Sequence, residues 1–245
     1  MSEGNATFTS LDGALYSKDM RMLIMYPCDS GPSNVVVPET VEHIADHAFE
    51  LSRITSIDLG NVTSIGSESF RYCSLRSLDI PGTVTSVESH AFIECQDLEV
   101  VTFDTGTVRI GSEAFIECPN LLSISFSGPV VDLEEYAIMD CESLQSVNFG
   151  NGLTKVPRGT CVRCPSLETI TGLEGAEEIG DFAFNSANLG SFTVPESVTR
   201  IGEYVLSGKL ETVPLGSKVV SIGKRALNNS LSLIHISEPT RLLSI

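Results

Sequence analysis

The sequence predicts a repeat solenoid, in which short coils of chain stack into a rod with parallel strands along its sides. Three observations predict it: an apolar pattern recurs every 21 to 23 residues, each copy contains a run of alternating β-forming residues, and Pro-Gly or Gly-Asn turn signals separate the copies. No coil of about 23 residues can bury its apolar side chains alone, so the copies must stack to form a continuous core.

The repeat is clearest in a small residue followed by a bulky one. Nine such pairs lie in register over residues 35–230, which predicts about nine coils: Ala48-Phe49, Ser69-Phe70, Ala91-Phe92, Ala114-Phe115, Ala137-Ile138, Thr160-Cys161, Ala183-Phe184, Val205-Leu206 and Ala226-Leu227. A Val-x-x-Ile-Gly element often precedes the pair, as at Val198–Gly202, and a Leu-x-x-Ile-x-Phe element follows it, as at Leu121–Phe126.

Each element has an expected structure. The end of the Leu-x-x-Ile-x-Phe element alternates with period two and predicts a short parallel strand on the concave face. Pro81-Gly82 and Gly150-Asn151 are typical of the turns that follow such strands. The Val-x-x-Ile-Gly element predicts a second extended segment. The small-bulky pair predicts a turn, or a short helical or 3₁₀ turn, on the convex side.

The combined pattern, best seen from Ile110 to Ile124 (Ile-Gly-Ser-Glu-Ala-Phe-Ile-Glu-Cys-Pro-Asn-Leu-Leu-Ser-Ile), resembles the BspA-type leucine-rich repeat. Residues 8–27 resemble the hairpin module that often precedes such arrays. We therefore expect an N-terminal β-hairpin module at residues 1–34 and a β-rich leucine-rich-repeat solenoid at residues 35–230. The sixth unit departs from the pattern, because it has Val156-Pro157 instead of Ile-Gly and Cys161 in place of the bulky residue.

Residues 231–245 are predicted to be an artefactual tail. The segment from Leu231 to Arg241 resembles a translated sequencing adapter, so we exclude it from the fold and expect the chain to be a fragment at its C-terminal end. A terminal repeat normally needs a polar cap. The last coil is therefore expected to be poorly ordered or to expose Val220, Ile222 and Leu227.

Composition excludes several classes of protein. The apolar fraction of 42% suits a packed core, but apolar runs are only a few residues long, and a membrane-spanning helix needs about 20. With 32 acidic against 15 basic residues the net charge is −17, which disfavours nucleic acid as a partner. The N-terminus shows no basic and apolar signal segment.

No arrangement of residues points to catalysis. Nucleophile, zinc-protease, phosphate-loop and dinucleotide motifs are absent from the sequence, so we predict a protein that is not an enzyme, with no catalytic residues, no cofactor and no metal ligands. The histidines do not change this interpretation. Two of them occupy a position of the repeat that varies freely and is predicted to face solvent on the convex side: His47 and His90, with Glu68, Glu113, Tyr136 and Arg225 in other coils.

Seven cysteines occur, and five of them share one position of the repeat. A free cysteine suits a small buried apolar position, so we predict a reduced structural ladder formed by Cys73, Cys95, Cys118, Cys141 and Cys164. A disulfide or a metal site remains open as an alternative. The pair at Cys161 and Cys164 has no second pair to complete a zinc site.

The strand residues that point away from the core form a stripe of small polar side chains, and this is the predicted binding face. Its members are Ser56, Asp58, Ser77, Asp79, Thr102, Ser123, Ser125, Ser146, Asn148, Thr169, Thr171, Ser191 and Thr193. The stripe carries none of the Trp, Tyr or Arg residues that dominate binding energy elsewhere, and serine and threonine are also ordinary residues of solvated strands.

Two functions fit these features. The first is a non-catalytic module, expected to be monomeric, that binds a protein or glycan on its concave face. The family resemblance implies surface exposure and adhesion, although the chain shows no targeting segment and the cytoplasm also fits. The alternative is an intracellular structural scaffold or assembly protein.

Overall fold

A computed structural model describes residues 5–206 and 213–227, which form a parallel β-solenoid of about eight turns with no helix among them. The predicted repeat solenoid is confirmed. In chain order its strands are β1 (Phe8–Leu11), β2 (Ala14–Ser17), β3 (Met22–Met25), β4 (Asn34–Val36), β5 (His43–Ile44), β6 (Ser56–Asp58), β7 (Ser64–Ile65), β8 (Ser77–Ile80), β9 (Ser86–Val87), β10 (Val100–Phe103), β11 (Val108–Ile110), β12 (Ser123–Phe126), β13 (Val130–Leu133), β14 (Ser146–Asn148), β15 (Lys155–Val156), β16 (Thr169–Thr171), β17 (Glu178–Ile179), β18 (Arg200–Ile201) and β19 (Ser221–Ile222).

The N-terminal strands start the solenoid. β1, β2 and β3 form an antiparallel meander, and β3 then pairs in parallel with β5. Asp12 and Gly13 connect β1 to β2 with φ values of 49° and 84°. An Asp-Gly pair with both φ values positive is the usual two-residue hairpin turn. The meander therefore provides the first strand on which the parallel coils stack.

The first side of the solenoid carries the Leu-x-x-Ile-x-Phe strands. β8, β10, β12, β14 and β16 form a five-stranded parallel sheet, and β4 and β6 form a separate parallel pair beside it. Along each strand the side chains alternate between the core and solvent, since Leu78, Val101, Ile124 and Val147 are buried whereas their neighbours are not. The register is constant from β8 to β16, so equivalent residues form straight rows across the sheet.

The second side carries the Val-x-x-Ile strands, and its sheet is interrupted once. β5, β7, β9, β11 and β13 extend the sheet that β3 begins, whereas β15, β17, β18 and β19 form a separate sheet. In most coils the residue after the Ile position donates its N–H to the preceding coil, as Glu134 does to Ile110 O at 2.9 Å and Gly180 to Val156 O at 2.8 Å. Pro157 has no N–H to donate to β13. The second-side sheet therefore divides between β13 and β15, where Pro157 replaces the usual N–H donor.

The third side consists of turns, which is one of the two predicted forms; the other, a helical or 3₁₀ turn, is not found in the described residues. Every second N–H of the turn crosses to the next coil, as Phe49 does to Ser69 O at 2.7 Å, while the N–H of Ala48 stays within its own coil by binding Ala45 O at 3.2 Å. A 3₁₀ helix would keep all of these donors inside one coil. The alternation requires left-handed backbone at two positions of the turn, such as His47 and Leu51, with φ of 57° and 59°.

Two stacks of aromatic rings run along the interior. Under the turns, Tyr26, Phe49, Phe70, Phe92 and Phe115 stack with ring centroids 5.0 to 5.1 Å apart. At the ends of the first-side strands, the ring of Phe126 lies between those of Phe103 and Phe149. In the stack under the turns, the ring separations are close to the spacing of neighbouring strands, so equivalent side chains of successive coils pack directly on one another.

The last described coil exposes two of the three apolar side chains predicted to be exposed there. Val220 is 86% exposed and Ile222 is 47% exposed, whereas Leu227 is half-buried against the core. The predicted artefactual tail, residues 231–245, lies outside the described residues.

A column of glycines follows the first-side strands and permits close stacking of the coils. A Cβ at Gly128 would lie 2.1 Å from Gly106 O, a backbone atom, whereas a Cβ at Gly175 would meet nothing closer than Leu153 O at 3.5 Å. We expect Gly128→Ala to lower the free energy of unfolding by about 1–3 kcal/mol, because the coils must move apart. Urea denaturation measures the change. Gly175→Ala is the matched control, and an equal loss in the two variants would contradict this packing.

Candidate binding face

The predicted binding face is a solvent-facing surface of the first side, here called the hydroxyl face. Nine of the thirteen predicted residues lie on the five-stranded sheet. The outer row runs Ser77, Val100, Ser123, Ser146, Thr169, and the second row runs Asp79, Thr102, Ser125, Asn148, Thr171. All of these side chains are exposed or half-buried. The strands therefore hold two parallel rows of mostly small polar groups over a fully packed core.

The other four predicted residues lie outside this sheet. Ser56 and Asp58 are on β6, which pairs with β4 rather than with β8. Ser191 and Thr193 follow β16 in the next coil and belong to none of the strands assigned in the described residues. All four side chains are exposed. The hydroxyl face is thus continuous over five strands and irregular at both ends.

Carboxylates gather at the N-terminal end of the hydroxyl face. Asp58, Asp79 and Asp104 line a depression of about 420 Å³ together with Thr102. Thr102 Oγ1 donates a hydrogen bond to Asp79 Oδ1. Residues 1–150 contain 23 of the 32 acidic and 6 of the 15 basic residues, so they carry the entire net charge of −17. The electrostatic potential at this end of the face is therefore negative.

A second depression lies at the opposite end of the sheet. It has a volume of about 380 Å³ and is lined by residues of β16 and of the following coil, among them Ile170, Leu173 and Phe192. Ile170 is half-buried, whereas the equivalent Val147 is buried. Apolar surface is thus available at this end, next to the hydroxyl groups of Thr169 and Thr171.

The turn side carries a second row of side chains that sequence reasoning treated as simply solvent-facing. The predicted exposure is only partly correct, because His47 and Arg225 are exposed but Glu68, His90, Glu113 and Tyr136 are half-buried. Their left-handed backbone directs equivalent residues of successive coils toward one another. His90 Nε2, for example, lies 3.1 Å from Glu113 Oε2.

In the C-terminal half this row becomes aromatic and cationic. Arg158 Nε donates a hydrogen bond to Tyr136 Oη at 2.7 Å, and the Arg158 guanidinium lies over the ring of Phe182 at 5.0 Å. Phe182 stacks on Tyr204, with ring centroids 5.2 Å apart, and Arg225 lies over Tyr204 at 5.9 Å. Comparing the row position coil by coil would have identified Tyr136, Phe182, Tyr204 and Arg225, but not Arg158, which precedes the row position that Gly159 occupies in its coil.

The cysteine ladder lies in the core between these two sides. All five of its side chains are buried, and so is Cys161, whereas Cys28 is exposed. Four ladder thiols also donate to a carbonyl of the preceding coil: Cys95 Sγ to Phe70 O at 3.0 Å, Cys118 Sγ to Phe92 O at 3.1 Å, Cys141 Sγ to Phe115 O at 3.1 Å and Cys164 Sγ to Ile138 O at 3.4 Å. A cysteine at this position thus adds a hydrogen bond between coils, which an apolar residue of similar size would lack.

Among the described residues, no helix is long and apolar enough to cross a membrane.

The chain matches a known protein family in sequence and several solved structures in fold. The sequence pattern of the family described as BspA type Leucine rich repeat region matches residues 26–145, 63–177 and 176–245. A search of curated proteins found no match. Solved structures, in contrast, include several with a similar fold.

A leucine rich cell surface protein from Faecalibacterium prausnitzii A2-165 is 21% identical, with a TM-score of 0.58 over 96% of this chain and 78% of that one. A leucine-rich repeat protein from Bacteroides ovatus is 20% identical, with a TM-score of 0.63 over 92% and 72% of the two chains. A leucine-rich repeat protein from T. pallidum is 20% identical, with a TM-score of 0.54 over 76% and 89%. At these identities the likeness shows the solenoid fold alone.

Proposed function

Because this chain belongs to the BspA-type leucine-rich repeat family, we propose that it is a non-catalytic module that binds a protein partner on its hydroxyl face at a cell surface. The family and the fold are typically non-catalytic, and solenoids of this kind generally serve as scaffolds for protein interaction.

One observation carries the proposal: five strands in constant register hold two rows of small polar groups over a buried core. Such a surface is rigid before binding, so little conformational entropy is lost when a partner docks. The hydroxyl groups can both donate and accept hydrogen bonds, which suits the backbone of an extended segment.

The two ends of the hydroxyl face differ chemically, and this difference would fix the orientation of a bound partner. The carboxylates of Asp58, Asp79 and Asp104 attract basic groups, whereas the depression beside Ile170 offers apolar surface. An extended segment with basic residues at one end and an apolar residue at the other would complement both. The cell-surface location is supported by the description of the similar protein from Faecalibacterium prausnitzii.

Ser125→Arg tests the proposed face, because Ser125 lies at the centre of the second row between Thr102 and Asn148. We expect the affinity for any bound member of a panel of immobilised matrix proteins and mucin glycans to fall at least about tenfold, as measured by surface plasmon resonance. The bulky side chain would hold a partner away from the sheet. Val131→Arg is the control, since Val131 is exposed on the second side and the change in charge is the same.

Each outcome distinguishes the possibilities. Equal loss, or no loss, in the two variants would place the binding site elsewhere on the solenoid. Selective loss of mucin binding would identify a glycan rather than a protein as the ligand. A chain that binds no panel member and self-associates in sedimentation experiments would instead favour the structural scaffold.

A further inference from the structure

We propose that His47, Glu50 and Glu68 form a binding site for a divalent transition-metal ion, of which Zn²⁺ is the best match, across the first two turns of the solenoid. His47 Nδ1 lies 3.0 Å from Glu50 Oε2 and 3.9 Å from Glu68 Oε2. One ligand atom from each of the three side chains lies within 4.8 Å of the others. The site is separate from the hydroxyl face and does not depend on the proposed binding function.

The ligand types fit zinc. Imidazole nitrogen and carboxylate oxygen are both zinc ligands, and the three side chains with one water would complete a four-coordinate site. Bonds of about 2.0–2.2 Å require ligand atoms about 3.3 Å apart. The distance from His47 to Glu50 already meets this requirement, and only the carboxylate of Glu68 has to move inward.

The backbone holds the three residues in place. His47 and Glu68 occupy the same position of successive coils, and both have left-handed φ values, 57° and 49°. The N–H of Glu50 binds His47 O at 3.2 Å within the turn, and the N–H of His47 binds Ser67 O at 3.0 Å in the next coil. Two ligands therefore come from one coil and the third from its neighbour, so a bound ion would join the two coils.

Arg71 sets the expected strength of binding. Its Nη1 atom lies 2.8 Å from Glu68 Oε2 and 3.9 Å from Glu50 Oε1. The guanidinium neutralises one of the two carboxylate charges and competes with a metal ion for Glu68. We therefore expect micromolar rather than nanomolar affinity. Removing the positive charge in Arg71→Gln should tighten binding, because it removes repulsion between the guanidinium and the ion.

The chain contains its own matched control. His90 occupies the same position of the repeat as His47, and its Nε2 atom faces the carboxylate of Glu113 at 3.1 Å. Position 93, however, is isoleucine, where the His47 coil has Glu50. The His90 pair thus offers two ligands of the same kinds without the third. Both histidines have left-handed backbone, which asparagine tolerates well, so His47→Asn and His90→Asn are equivalent changes.

The experiment is calorimetric titration of the full chain with ZnCl₂ in a buffer that does not bind metals, together with Co²⁺ absorption spectra. We expect one saturable site, tetrahedral Co²⁺ bands, and a rise in melting temperature that EDTA reverses. His47→Asn and Glu50→Gln should each weaken binding at least about tenfold, whereas His90→Asn should leave it unchanged. Equal behaviour of the two histidine variants, or the absence of saturation below millimolar Zn²⁺, would overturn the proposal and leave the cluster as an ion-pair network.

Discussion

Replacing Phe92 with alanine is expected to lower the free energy of unfolding by about 3–5 kcal/mol. The Phe92 side chain is fully buried, and its ring lies 5.1 Å from that of Phe70 and 5.0 Å from that of Phe115, nearly parallel to both. Truncation removes both ring contacts and leaves a cavity in the middle of the stack. The coils cannot close this cavity without breaking the hydrogen bonds between their turns, so the loss should lie in the upper part of that range.

Phe92→Ile is the informative control, because the chain itself has Ile138 at the equivalent position two coils later. An isoleucine fills most of the space, so we expect it to cost clearly less than alanine. Guanidinium denaturation followed by circular dichroism measures both variants. If Phe92→Ala cost no more than Phe92→Ile, the ring stack would not be a principal source of stability.

The truncation should also reduce the cooperativity of unfolding. In a solenoid each coil contacts only its neighbours, so the coupling between the two halves passes through the coils at the centre. A weakened contact between the coils of Phe70 and Phe115 allows the N-terminal and C-terminal coils to unfold separately. The denaturation curve of Phe92→Ala should therefore be broader than that of the wild type, with a lower m-value.

The features that the sequence predicted correctly are those that depend on the order of apolar residues within one coil. The alternation in Ser123–Phe126, for example, places Ile124 and Phe126 in the core, and identical spacing in neighbouring coils places their strands in register. These properties are local or repeat unchanged from coil to coil. Periodicity alone was therefore sufficient to predict the strands, the core and most of the hydroxyl face.

The features that the sequence did not predict depend on contacts between coils. The turn at Ala48-Phe49 was compatible with a 3₁₀ turn, because nothing within one coil shows that the N–H of Phe49 binds Ser69 O. Most left-handed residues of that turn side have side chains, such as His47, Leu51 and Tyr136, and are not the glycines that usually indicate this conformation. Pro157 was visible as a departure from the repeat, but its effect on the sheet follows only once the N–H at that position is known to bind the preceding coil.

The cysteine ladder shows the same limit. Sequence reasoning assigned Cys118 and Cys141 to the core as small apolar residues, and both are buried. Their hydrogen bonds to Phe92 O and Phe115 O could not be predicted from spacing, because the acceptor belongs to the preceding coil. These thiols lie next to other ladder thiols and are fully buried, which raises their pKa values. The raised pKa values make the stability of the protein depend on pH in the alkaline range.

Raising the pH above about 9 is expected to destabilise the protein steeply, because several buried thiols resist ionisation in the folded state. Burial raises the pKa of Cys73 to about 12 and the pKa of Cys161 well above its usual value. The neighbouring Cys141 thiol, together with burial, raises the pKa of Cys164 well above normal. In Cys141, the effect of the neighbouring Cys118 thiol and of burial outweighs the opposing effect of Cys164 and raises the pKa.

Cys118 behaves in the same way for a slightly different reason. The neighbouring Cys141 thiol lowers its pKa, but the Cys95 thiol on its other side and complete burial together raise the pKa well above normal. In the unfolded chain a cysteine ionises near pH 8.5. Above that pH the unfolded state loses protons that the folded state retains, so ionisation favours unfolding. The stabilisation is complete below pH 8.5 and declines as the pH rises toward the folded pKa values.

The size of the effect follows from linkage. Each retained proton changes the free energy of unfolding by about 1.4 kcal/mol per pH unit, so five such thiols change it by up to about 7 kcal/mol per unit. A domain of typical stability, about 5–15 kcal/mol, should therefore unfold by about pH 10 to 11. Urea midpoints measured by circular dichroism at pH 7.5, 8.5, 9.5 and 10.5, in the presence of a reductant, test this expectation.

A double variant separates the thiols from the tyrosines and lysines that ionise in the same range. Cys118→Ala with Cys141→Ala removes two of the five shifted groups and leaves the surface unchanged, so its stability should fall with a slope about two fifths shallower than that of the wild type. The variant starts from a lower stability at pH 7.5, because it loses the bonds to Phe92 O and Phe115 O. The two curves should then converge as the pH rises. Parallel curves would mean that the ladder thiols ionise as easily in the folded protein as in the unfolded chain. The thiols would then not be buried in a closely packed core between the coils.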